Sequence, residues 1–193
     1  KAKTALEAVV SSNQHELVAI DKLFGIANEN NAEVIFDVQF AAAINGNAEG
    51  SNMQQQFSPS GTLANAKGHN LPTKELFDLY DNADRRKQHY VAITDNNIPY
   101  SLKLTRPTHN PADGGSNFIV LRYADVLLML AEIEAQLGNT SRALDYLNPV
   151  RERAGLGVVT DNNKEVVLEK IALERRLELV NEGHRWFDLI RYG

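Results

Sequence analysis

"RYADVLLMLAEIEAQLGNTSRALDYLNPVRERAGL", residues 122–156, reads as two helices joined by a short turn. From Tyr123 to Leu137 apolar residues lie nearly all round the helical wheel, which predicts a helix buried on more than one side. Gly138 then stops it, and Asn139, Thr140 or Ser141 opens the next helix as a cap. In that second helix Leu144, Leu147 and Val150 recur at helical spacing, and Gly155 closes it. So short a link forces antiparallel packing. Pro149 lies inside the second helix and predicts a kink or an early end, because proline has no N–H to donate and its ring crowds the preceding turn.

The helical pattern continues outward from this hairpin. "NKEVVLEKIALERRLELVNEG", residues 163–183, predicts a long third helix, and "HRWFDLIRYG" a fourth after Gly183. Ala131, Gly138, Ala143 and Leu147 resemble the small and large positions of one tetratricopeptide hairpin. Helix is expected from Phe118 onward, and residues 122–193 carry 22 of the 45 charged side chains. The preceding 121 residues read as mixed. "TALEAVVSSN" predicts a helix, "DKLFGIANENN" a second short helical turn ending in an Asn-rich loop, and "AEVIFDVQF" a strand with Val34, Phe36 and Val38 on one face. Residues 45–70 hold four glycines and little to bury, which predicts a long loop. "LPTKELFDLYDN" has Pro72 and Thr73 at a helix start, with Leu76, Leu79 and Tyr80 as its apolar side and Phe77 also assigned to the core. "HYVAI" and "YSLKLTR" read as a hairpin around "TDNNIP", and residues 107–117 as irregular. The class is mainly α with a minor α+β component, divided at 1–121 and 122–193.

Composition limits the function. A net charge of -5 argues against a nucleic-acid groove, which normally needs a basic face. With no cysteine there is no disulfide, no thiolate metal site and no cysteine nucleophile. The longest apolar run, "VLLMLA", is far short of a membrane span. The chain has no initiating Met and ends within an apparent element, so a piece of something longer is expected.

"ERRLELVNEGHRWFDLIRYG", residues 174–193, concentrates the ionisable groups. His184 and Asp188 are four apart, as are Glu178 and Glu182, but Gly183 separates the two pairs and the Glu-x-x-His spacing of a di-iron helix is absent. HExxH and GxSxG motifs and a phosphate-cradling glycine loop are absent too. No catalytic residue, metal or cofactor is expected. The alternative is a structural clasp. Glu174, Glu178 and Glu182 share one predicted helical face, where like charges repel unless cations from a neighbouring helix approach. Arg122, Arg151 and Arg153 are the candidates. Arg185 with Asp188, and Asp188 with Arg191, add pairs three apart, while Trp186, Phe187, Leu189 and Ile190 are expected to anchor the last helix. On this reading loss of Arg185 destabilises. Asp84, Arg85 and Arg86 are expected to make a helix-end turn with ion pairs.

The blocks at 122–156 and 172–193 resemble the SusD/RagB family. The similarity runs through Arg122, Ala131 and Glu132, then Leu147, Asn148, Val150, Arg151, Arg153, Ala154 and Gly155. It continues at Glu174, Arg175, Glu178, Leu179, Glu182, Gly183, Arg185, Phe187, Asp188, Leu189 and Arg191. The resemblance implies a helical fold with tetratricopeptide-like helices and a non-catalytic, lipid-anchored outer-membrane protein that binds glycans at the cell surface. It also implies a SusC-type TonB-dependent transporter as partner. The family's amino-terminal half, with its lipobox cysteine, and its carboxy-terminal extension have no counterpart here, so residues 1–193 are expected to be a carboxy-terminal part. Sugar binding needs aromatic faces with polar neighbours. Outside the helices these are Phe57, beside Asn52 and Gln54 to Gln56, and Tyr100, beside Asn96, Asn97 and Arg106. The alternative function is a helical-repeat scaffold for a protein or peptide.

Overall fold

The expected hairpin forms the centre of the computed structural model, which describes residues 1–46 and 49–193. Helices α1 (Ala2–Ser11), α2 (Met53–Phe57), α3 (Lys74–Asp78) and α4 (Arg86–His89) precede the hairpin α5 (Tyr123–Gln136) and α6 (Thr140–Arg153), which α7 (Lys164–Glu178) and α8 (Arg185–Tyr192) follow. Strands β1 (Val34–Val38), β2 (Val91–Ile93), β3 (Pro99–Ser101) and β4 (Phe118–Arg122) form two antiparallel pairs, β1 with β4 and β2 with β3. The protein is thus mainly helical, with a few short strands.

Helix α5 is buried on several sides, as its apolar wheel predicts: Ala124, Leu128, Leu130, Ala131 and Ala135 are all inaccessible. It packs against α1, α6 and α7. Gly138, at φ +85°, takes the left-handed conformation that ends the helix. Helix α6 does not stop at Pro149 but runs on to Arg153. An interior proline costs about 3 kcal/mol; the fully buried Leu147 and Val150 on either side hold the helix in place. A second cluster joins Ile20, Leu23, Tyr80, Tyr90, Leu177 and Val180 beneath the strands.

Four expectations change. Residues 118–122 are a strand, not the start of the helix: β-branched Ile119 and Val120 extend, and Phe118, Ile119, Leu121 and Arg122 pair with Val38, Asp37, Phe36 and Val34. The segment 45–70 is not wholly irregular, since it contains α2, and Ser51 exchanges backbone hydrogen bonds of 2.7 and 2.6 Å with Gly114; residues 47 and 48 of this segment lie outside the described residues. The third helix ends at Glu178, so Glu182 sits in the turn that follows. The final helix is turned with its apolar side outward, as described below.

One glycine positions the site. Gly155 has φ +82°, and a Cβ there would lie 3.2 Å from the Ala83 carbonyl oxygen. Next to it, the Arg85 N–H donates to the Ala154 carbonyl at 2.9 Å. This close approach brings the segment bearing Asp84 and Arg86 against the end of α6.

Candidate functional site

Arg122, the last residue of β4, enters the space between β1 and α7. Its Nη1 donates to Glu33 Oε1 at 2.8 Å and Glu178 Oε1 at 2.7 Å, and its Nε to Glu182 Oε2 at 2.7 Å. Arg86 enters from the other side, with Nη1 2.6 Å from Glu174 and 3.0 Å from Glu178, and Nη2 2.8 Å from Asp84. Arg153 bridges Glu33 and Glu178 at 2.5 Å each, and Arg151 reaches Glu174 at 3.0 Å. Lys103 donates to Glu182 at 2.5 Å and sits 3.9 Å above the Tyr90 ring, a cation–π contact. The Tyr90 hydroxyl donates to Glu178 Oε1 at 3.0 Å.

The network is balanced: Arg86, Lys103, Arg122, Arg151 and Arg153 face Glu33, Asp84, Glu174, Glu178 and Glu182, five of each sign. Its members are almost all buried, so the charges persist only because each is paired and hydrogen-bonded. Burial opposes ionisation of Glu178, but Arg153, Arg122 and Arg86 outweigh it and hold the carboxyl well below the ordinary range. Against the same burial, Arg122 and Lys103 lower Glu182. Glu174 goes the other way, burial outweighing Arg86 and raising its carboxyl. Burial also pushes Lys103 down to about 8, against the pull of Glu182.

These shifts set a pH dependence. An acid whose folded pKa is depressed adds stability above its unfolded value, near 4.5 here, and loses it as pH falls through the folded value. Glu178 and Glu182 have this sign; Glu174, being raised, offsets part of it. The thermal midpoint is expected to be level from pH 7 to 5 and to fall below about 4.5. Calorimetry across that range checks this, and a midpoint unchanged down to pH 3 would contradict it.

The sequence did not place Glu33, Lys103 or Tyr90 in this network, although Lys103 left a trace as a charge between two leucines, Leu102 and Leu104. A second cluster links Arg175 to Asp125 at 2.7 Å and to Asp188 at 3.3 Å, and Arg191 to Asp188 at 2.8 Å and to Glu132. Arg185 and Trp186, expected in the clasp, lie outside both clusters. Arg185 is exposed and has no ion-pair partner among the described residues, and Trp186 is 68% exposed. Asp188, the expected partner of Arg185, is held instead by Arg175 and Arg191, and Trp186, two residues from Asp188, is directed to the opposite side of α8. Within residues 1–193 alone, Arg185→Ala is therefore expected to leave stability within about 0.5 kcal/mol of the unsubstituted chain, as at other exposed positions. A thermal melt checks this; a large drop would reveal a partner for Arg185.

The candidate ligand contacts do not converge on one cavity. Arg106 is half-buried; its Nη2 donates to the His89 carbonyl at 3.3 Å, and its buried Nε has no acceptor among the described residues. It borders a cavity of about 10 Å³ with Ser51, Gln54 and Thr108, room for about one water. Phe57, at the end of α2, and Tyr100, in β3, are half-buried, and Asn97 lies exposed at the hairpin tip. These three line neither that cavity nor the larger groove of about 330 Å³ between the start of α3 and the start of α8. Every carboxylate of the central network faces a cation, so the network has no free acid–base pair.

The SusD family model matches residues 95–193. A SusD-like protein of Formosa agariphila is 41% identical over 91 residues, covering 42% of this chain and 18% of its own. A second from that organism is 29% identical and covers 96% of this chain and 44% of its own. Surface glycan-binding protein A from Bacteroides thetaiotaomicron, solved in complex with laminarihexaose, superposes with a TM-score of 0.82 at 26% identity, over all of this chain and 50% of its own. The chain spans half or less of the length of these relatives.

Proposed function

This chain belongs to the SusD family, and on that premise we propose that it is part of a non-catalytic glycan-binding protein that serves nutrient uptake. The carrying observation is the match of the whole chain to a relative solved with a hexasaccharide. The paired state of the buried carboxylates supports a binding rather than a hydrolytic role, since glycoside hydrolysis needs an acid and a base or nucleophile free to act. In this reading residues 1–193 are the carboxy-terminal part of the protein, with a mixed portion at 1–121 and a helical one at 122–193. The protein works on the cell-surface side of the outer membrane, held by a lipid, beside a SusC-type TonB-dependent transporter. Phe57 and Tyr100 supply faces for sugar rings, Asn97 an amide for hydroxyls, and Arg106 a guanidinium, as separate contacts and not as one pocket.

Calorimetric titration of the full-length protein with laminarihexaose and other oligosaccharides tests this, repeated with Phe57→Ala and Tyr100→Ala. Binding that either substitution abolishes, with melting unchanged, supports these contacts. Binding insensitive to both removes them and leaves the function standing. Absence of binding to every glycan overturns the function.

A further inference from the structure

Helix α8 is built the wrong way round for a surface helix. Residues three and four apart share a face, so Trp186, Leu189 and Ile190 form one stripe with Phe187 on its flank, while Asp188 and Arg191 lie opposite. An amphipathic helix at a protein surface normally turns its apolar stripe to the core. Here Asp188 is 4% exposed and bound to Arg175, and Arg191 is bound to Glu132. The apolar stripe faces out, with Trp186 at 68%, Phe187 at 66% and Ile190 at 63% exposure. The 330 Å³ groove continues this surface: Leu71, Pro72, Leu76 and Val180 line it beside Trp186.

We propose that this face is the seat of the portion of the SusD-family fold lying outside residues 1–193, so that α8 is an internal helix of the complete protein. Relatives that superpose on all of this chain have as much chain again beyond it, enough to cover the face. The face also specifies what covers it. Its apolar stripe, with Leu71, Pro72, Leu76 and Val180 of the groove beside it, calls for an apolar segment. Asn181 Oδ1, at the groove and buried without a donor among the described residues, calls for an N–H or O–H. Arg185, exposed at the rim and without an ion-pair partner among the described residues, calls for a carboxylate. A saccharide could use the polar groups of the groove, Asn70, Thr73, Arg176, Asn181 and Arg185, but finds only one ring, Trp186, to stack on there and leaves the Phe187 and Ile190 surface uncovered.

The inference rests on family membership and not on glycan binding, so its failure leaves the proposed function standing. The test uses the full-length protein without ligand. Emission from Trp186, isolated as the difference between wild type and Trp186→Phe, is measured with acrylamide as quencher. The expected result is emission shifted to shorter wavelength and strong protection from acrylamide, independent of protein concentration. Phe187→Glu with Ile190→Glu is then expected to open the protein to limited proteolysis between the two portions. Three results overturn the proposal: free quenching of Trp186, protection that appears only as protein concentration rises (a second copy), and protection that appears only on adding laminarihexaose (a sugar platform).

Discussion

Glu178→Gln is expected to lower stability by about 3–5 kcal/mol, the cost of breaking a buried ion pair by removing one partner. Glu178 is fully buried and meets three guanidiniums, those of Arg86, Arg122 and Arg153. The amide keeps the shape but removes the charge, and its NH2 group must face donors. For a protein of this size each kcal/mol shifts the midpoint by roughly 2–4 °C, so a fall of roughly 6–20 °C is expected in a thermal melt. A fall of under about 2 °C would mean that neighbouring carboxylates or water had taken over the pairing.

Arg122→Met is expected to cost a similar amount, about 3–5 kcal/mol, for the opposite reason. It leaves Glu33, Glu178 and Glu182 facing one another with a cation removed, and methionine can fill the space but not donate. Arg153 and Lys103 keep some compensation, so the two substitutions should not add. A double-mutant cycle is the check, because residues in one network show coupling of about 0.5–3 kcal/mol. Additivity within about 0.3 kcal/mol would show that the contacts act independently. Replacing the whole network by apolar side chains is a different experiment and need not destabilise at all. The network confers orientation: it ties β4, the residue before β1, the end of α6 and both ends of the α7 turn to one point.

How much of this was legible follows from where the information lies. The α5–α6 hairpin could be read directly, because helical spacing, the stop at Gly138 and the short link are all local. The acidic row Glu174, Glu178 and Glu182 could be seen to need cations, and Arg122, Arg151 and Arg153 do meet members of it. Arg86 was seen only as the partner of a nearby aspartate. Its contacts with Glu174 and Glu178 span 88 and 92 residues of sequence and leave no periodic trace. Glu33 was invisible for the same reason. β4 was read as helix because a five-residue, mostly apolar run adjoining a helix has no boundary signal until β1 pairs with it.

The sequence by itself determined the helical class, the hairpin, the family and the need to neutralise a row of glutamates. Only the tertiary structure decided which cations answer that row and which face of α8 turns inward. The physical reason is the same in both cases. Periodicity marks a helix as two-sided, but the partner of each side is fixed by charges and apolar surface brought from distant parts of the chain. In α8, Arg175 and Glu132 capture the charged side and leave the apolar one exposed.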